Sequence, residues 1–196
     1  MKKTSTRPTH LADSSPPAQS TTPSDSLYSL VASHPFLHGL AESHLKILTG
    51  VAMATSFAPG QYLYRQGEAA NRFYLILDGR AELRSEPEIP GANPIRIAES
   101  GADLGWAWLF GPSFFPFTAR AITATRALFF YGTRLRQQCE EDHPLGYEMM
   151  KRVARVMYQD LTAHHQNHLA TSHSSVIAAL TSAKPLDSFT HHPPQL

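Results

Sequence analysis

Turn signals recur roughly every ten residues through the middle of this chain. They stand at Pro59-Gly60, Gln66-Gly67, Asp78-Gly79, Pro90-Gly91, Ser100-Gly101 and Phe110-Gly111. Such spacing implies short antiparallel strands folded into a sandwich, roll or barrel. All 11 glycines fall between Gly39 and Gly146, which locates the folded part. RFYLILD (72–78) and RAELRSE (80–86) flank Asp78-Gly79 as strands flank a tight hairpin turn. PFTARAIT (116–123) and RALFFYG (126–132) read as two further strands.

Helices are predicted on both sides of this region. SHLKILTGV (43–51) sets Leu45 and Leu48 on one face, with Glu42 favouring the helix N-terminus. A longer helix is predicted from about Pro144, with Asp142 as its cap and the proline in its first turn. In it Met149, Val153, Val156 and Met157 recur at helical spacing, and Met150, Ala154 and Leu161 widen the apolar stripe. A stripe of that breadth suits contact on two sides, so residues 144–168 are the expected homodimer helix, alternatively packed on their own domain alone.

Residues 1–26 are rich in Ser, Thr and Pro and are expected to be disordered, because they bury too little apolar area to offset chain entropy. The domain is expected over 27–168, and 169–196 as a flexible tail with a weak helical tendency at VIAAL (176–180). The N-terminus lacks the apolar block of a secretory signal, and no apolar run is long enough to span a bilayer. With a single cysteine, Cys139, these features lead to the expectation of a cytoplasmic protein without a membrane partner. A net charge of +1 gives no field toward nucleic acid.

GWAWLFGPSFFPFTARA (105–121) holds two tryptophans and four phenylalanines, and its only charge is Arg120. Together with HPFLHGLAESHLKIL (34–48), FAPGQYLYRQGEAANRFYLILDGRAEL (57–83) and RLRQQCEEDHPLGYEMMKRVARVM (134–157), this segment resembles the cyclic-nucleotide-binding domain of the catabolite activator and Fnr superfamily. The resemblance covers about residues 30–165. It implies a mainly β fold, an antiparallel double-stranded, jelly-roll-like β-roll flanked by N-terminal helices and a long C-terminal helix. It also implies that 104–130 takes the place of the phosphate-binding cassette, whose short helix turns free N–H groups toward a cyclic phosphate.

The family motif adds a glutamate after the cassette glycine for the ribose, and an arginine further on for the phosphate. Here Trp106 follows Gly105, and Phe114 and Phe115 stand where the arginine is expected. Charged hydrogen bonds contribute about 1.5–3 kcal/mol each. Losing both partners therefore weakens nucleotide binding by roughly two to four powers of ten. The candidate cassette comprises Gly105, Trp106, Ala107, Trp108, Leu109, Phe114, Phe115, Thr118 and Arg120. Two readings of its aromatics stay open: a pocket for an apolar or aromatic ligand, or core filling the former pocket. A third keeps a cyclic nucleotide in a rearranged pose with Arg120 on the phosphate, since Thr118, Arg120 and Ile122 alternate onto one strand face.

Other chemistry finds little support. No histidine lies between His44 and His143, so strand histidines for a metal or haem are lacking; no metal site is expected. There is no nucleophile elbow, phosphate loop or dinucleotide fingerprint, and no enzyme activity is expected. After Arg155 the only basic residue is Lys184, too little for counterion release on DNA, so no direct DNA binding is expected. The sequence thus points to a non-catalytic sensory or ligand-binding module without a DNA-binding output domain. A structural dimer that binds an unidentified protein partner is the alternative.

Overall fold

The computed structural model describes residues 23–87, 93–111 and 113–182. The expected disorder of residues 1–22, the turn at Pro90-Gly91 and the tail from 183 lie outside the described residues. The described residues begin with α1 (Pro23–Ser33), a 3-10 turn (Pro35–Leu37) and α2 (Glu42–Val51). Eight strands follow among the described residues: β1 (Ala52–Phe57), β2 (Tyr62–Tyr64), β3 (Arg72–Asp78), β4 (Ala81–Arg84), β5 (Arg96–Ala98), β6 (Asp103–Leu104), β7 (Thr118–Ala121) and β8 (Thr125–Tyr131). A 3-10 helix (Trp106–Phe110) interrupts them, and α3 (Gly132–Glu141) and α4 (His143–Ser182) come last among the described residues.

The strands form two four-stranded antiparallel sheets, ordered β1-β8-β3-β6 and β2-β7-β4-β5. This is the β-roll with helices at both ends. The Asp78-Gly79 hairpin depends on glycine: Gly79 has φ +85°, and a Cβ there would lie 2.3 Å from the Ala124 carbonyl oxygen. Strand β1 pairs with β8 from Ala52↔Phe130 to Phe57↔Thr125, so the first and last strands lie side by side and α2 and α3 leave from the same end of the first sheet.

Alternation along β3 and β8 divides the interior. Phe73, Leu75, Leu128 and Phe130 point toward the helices and join Trp108, Leu37, Leu48, Leu135, Leu145 and Met149 in one cluster. Tyr74, Ile76 and Ala127 point between the sheets and join Tyr64, Leu104 and Phe115 in another. Each large apolar side chain buried this way contributes about 1.5–3 kcal/mol.

Asp142 caps α4, its Oδ1 accepting the Leu145 N–H at 3.0 Å. Arg152 ties the helix to the N-terminal segment by donating from Nε to the Phe36 carbonyl at 2.9 Å and from Nη2 to the His38 carbonyl at 2.8 Å. Met149 and Val153, expected on a dimer face, are each only 1% exposed and serve the domain's own core. Of the other two residues expected there, Val156 is half-buried and Met157 is exposed, on the stripe that α4 leaves open with Tyr147, Met150 and Leu161 and with Tyr158 beside it. The helix also runs on to Ser182, past the expected end at 168. Helix α1 begins at Pro23, inside the segment expected to be disordered, because Leu27, Leu30 and Val31 find apolar neighbours there.

Candidate functional site

A cavity of about 630 Å³ lies between the second sheet, the 106–110 turn and α4. Tyr64 and Leu83 line it from the sheet, Ile95 and Arg96 from the start of β5, and Leu104 from β6. Gly105, Trp106 and Ala107 form the next part of the wall, followed by Phe115, Pro116 and Phe117. Met157, Tyr158, Asp160 and Leu161 of α4 cover it.

Local conformation explains why the cassette residues separate. Gly105 has φ +87°, and a Cβ there would lie 2.5 Å from the Arg72 carbonyl oxygen and 3.3 Å from the Phe115 ring. That left-handed turn starts a single 3-10 helix, which sends Trp106 and Trp108 in different directions. Trp106 is half-buried on the cavity wall and packs edge-on to Phe110, with ring centroids 5.9 Å apart. Trp108 is fully buried against Phe73 on the helix side, and the Trp108 carbonyl accepts a hydrogen bond from Arg136. The indole N–H of Trp108 has no partner.

Of the nine cassette candidates, the structure brings Gly105, Trp106, Ala107 and Phe115 to the cavity. The other five are not on its wall. Trp108 is core, Leu109 packs against the helix-side cluster, and Phe114 is 68% exposed. Thr118 and Arg120 share one strand face with Ile122, but it is the outer one, since Ala119 and Ala121 between them are buried between the sheets. Thr118 donates to Glu86 Oε1 at 2.5 Å and accepts from the Gln66 N–H at 2.9 Å. Arg120 donates from Nε and Nη2 to Glu82 Oε1, at 3.1 and 2.7 Å. A phosphate contact from Arg120 inside the roll is therefore corrected by the register of β7 against β4, which pairs Arg120 with Glu82.

The cavity is apolar over most of its wall. Phe115 stacks on Tyr64, with ring centroids 3.8 Å apart and planes 15° from parallel. Burial pushes the Tyr64 phenol above its usual range, with the nearby Asp103 carboxylate adding to the rise. Arg96 brings the charge: Nη2 donates to Asp103 Oδ1 at 3.3 Å and Nη1 to Asp160 Oδ2 at 3.5 Å. Burial drives the Asp103 carboxyl upward against the pull of Arg96, and Oδ2 of Asp103 has no partner.

Leu83, Ile95, Arg96, Phe117, Tyr158 and Asp160 were not singled out from the sequence. Phe117 lay within the aromatic segment, and alternation from Phe115 would have pointed to it. Nothing local marks Arg96, because the cavity is assembled from segments far apart in the chain. Among the described residues no group of three His, Cys, Asp or Glu side chains forms a metal-binding cluster. Burial and the neighbouring Asp142 and Glu140 push the Cys139 thiol up to about 11, which makes it a poor nucleophile.

Comparison with known proteins agrees with this architecture. The family model for the cyclic nucleotide-binding domain matches residues 54–142. No curated protein sequence matches the chain. Among solved structures, a protein of Geobacter metallireducens GS-15 assigned to the cyclic nucleotide-binding proteins is 26% identical, with a TM-score of 0.58 over 64% of this chain and 91% of its own. The sensor domain of the transcriptional regulator DNR from Pseudomonas aeruginosa is 19% identical, with a TM-score of 0.56 over 71% of this chain and 93% of its own. The regulatory subunit of a cAMP-independent protein kinase A from Trypanosoma brucei is 19% identical, with a TM-score of 0.60 over 74% of this chain and 49% of its own.

Proposed function

Because residues 54–142 match the family model of the cyclic nucleotide-binding domain, we propose that the chain is a non-catalytic sensory module of that kind, in which an apolar, aromatic ligand takes the place of the cyclic nucleotide. One observation carries this reading. The wall that follows the cassette glycine presents Trp106, Phe115 and Phe117, and Arg96 is the only cation among the described lining residues. Arg96 is held between two carboxylates and can serve at most one anionic group, by giving up one of them. A ribose and a cyclic phosphate carry several hydroxyl and anionic oxygens, and burying each without a partner costs about 1–3 kcal/mol. An aromatic ligand makes no such demand and gains from stacking against the indole and phenyl faces.

Thermal unfolding of the full chain with cyclic AMP, cyclic GMP and cyclic dinucleotides tests this. No shift is expected up to about millimolar concentration, whereas a ligand at a hundred times its dissociation constant adds about 2.7 kcal/mol. A saturable shift with cyclic AMP would overturn the reading.

A homodimer through α4 belongs to the same proposal, and the stripe of Tyr147, Met150, Met157 and Leu161 supports it. These residues recur three and four apart with Ala154 between Met150 and Met157, and all are exposed in the single chain. Met150→Glu is expected to halve the mass seen by sedimentation without lowering the unfolding temperature of the roll; a mass unchanged by the variant would refute the dimer. DNA binding is not part of the proposed activity.

A further inference from the structure

The polar corner of the cavity has a particular construction. Arg96 stands on β5 between two carboxylates of unlike character. Asp103 is 2% exposed and fixed on β6, while the side chain of Asp160 on α4 is about one-third exposed. Neither contact is close: 3.3 and 3.5 Å compare with about 2.7–2.9 Å for a well-made guanidinium–carboxylate bond. A guanidinium carries five N–H donors in a fixed fork, and each of these carboxylates engages only one of its terminal nitrogens. Arg96 is thus neutralised by its two carboxylates but not saturated by them.

We infer that the cavity takes a flat apolar molecule ending in one carboxylate, which docks on Arg96 in exchange for Asp160. The inference rests on the apolar-ligand reading above and adds the ligand's charge. The exchange preserves the number of charges at the corner. The incoming carboxylate offers Arg96 a bidentate contact, and Asp160 is already wet enough to regain water on release. Asp103 is too deeply buried to leave, so it stays as the fixed partner. A neutral ligand fills the apolar part but leaves Arg96 in its long contacts. A cationic ligand meets the guanidinium head-on.

The test uses the full chain with 2-naphthoate and its neutral methyl ester as probes, read by quenching of tryptophan fluorescence, to which Trp106 on the wall contributes, and by calorimetry. Naphthoate is expected to bind about tenfold or more tighter than the ester, the equivalent of one charged hydrogen bond. Arg96→Gln should erase that preference while leaving the ester's affinity in place. Asp160→Asn should tighten naphthoate several-fold and leave the ester unchanged. This second variant keeps the Arg96–Asp103 pair, so it decides the matter even where Arg96→Gln fails to fold. If the ester binds as tightly as naphthoate, or Asp160→Asn leaves naphthoate unaffected, the anionic-ligand inference falls while the apolar pocket stands. If neither probe binds, both fall.

Discussion

The two apolar clusters of this roll differ in what they are made of. On the helix side, thirteen buried residues include Trp108, Phe73, Phe130 and seven leucine, valine or methionine side chains beyond Leu37 and Leu48, with only one alanine, Ala52. Between the sheets, seven of thirteen are alanine: Ala70, Ala81, Ala98, Ala107, Ala119, Ala121 and Ala127. The same strands feed both, since β3 and β8 send alternate residues to each side. Large interlocking side chains close the first cluster. Four members of the second, Tyr64, Leu104, Ala107 and Phe115, also line the cavity. One side of the roll is thus filled and the other borders an open space; Trp108 is buried in the first, while Trp106 packs against both clusters and faces the cavity.

The tryptophan pair is the sharpest way to break the comparison. Trp108→Ala should destabilise the fold by about 3–5 kcal/mol, the usual result of truncating a buried aromatic, while Trp106→Ala should cost far less and remove binding of the aromatic probe. Chemical denaturation of the two variants reads the difference, and equal costs would mean that Trp106 is core as well. Trp108→Phe should be much milder than the alanine variant, because it also removes a buried N–H that has no partner.

Next in size is the hinge between the two sides. Gly105→Ala should destabilise by at least about 1–2 kcal/mol, since alanine resists a left-handed backbone, and its Cβ would meet the Arg72 carbonyl at 2.5 Å. A Gly105→Ala protein as stable as the parent would remove the reason given for the divergence of the two indoles.

The helix side also carries a pH dependence. Burial pushes the His34 imidazole below its ordinary value, against the support of the Ile76 carbonyl, and His38 adds to the fall. His34 Nε2 donates to that carbonyl at 3.1 Å and Nδ1 accepts the Phe36 N–H at 3.2 Å, an arrangement that requires the neutral ring. The unfolded chain therefore binds this proton first. Stability is full above the unfolded value of about 6.5 and declines as pH falls toward the lowered folded value. His34→Gln should flatten that part of the decline, measured as denaturation midpoint against pH; an unchanged profile would mean His34 is not its source.

The smallest effect is expected at Arg120. Arg120→Ala should cost about 1 kcal/mol or less, as partly exposed ion pairs do, and leave probe affinity untouched because Arg120 faces away from the cavity. Loss of binding by isothermal titration would return Arg120 to the site.

Much of the fold was legible. The Asp78-Gly79 hairpin, the strands on either side of it, the Asp142 cap and the face shared by Thr118, Arg120 and Ile122 follow from residues within a few positions of each other. The site was legible only in part. Alternation told which residues share a face of β7 but not which face is inward, because that depends on pairing with β4, some 37 residues away. The helical stripe on α4 likewise contains two faces. Spacing alone did not separate Met149 and Val153, which pack on the domain, from Met150 and Leu161, which stay open.

What the sequence determined by itself is whatever short-range chemistry controls: where the chain turns, where helices begin, and that the stretch after Gly105 carries aromatics in place of a carboxylate and a guanidinium. What only the tertiary structure decided is whether those aromatics fill or line a space. Trp106 and Trp108 are alike in composition, spacing and neighbours. One left-handed glycine and the packing of α4 over the second sheet put the first on a cavity and the second in the core, and brought Arg96 and Asp160 from separate elements to one corner of it, with the buried Asp103 paired to Arg96. Burial is a property of the assembled layers, and no local window of sequence contains it.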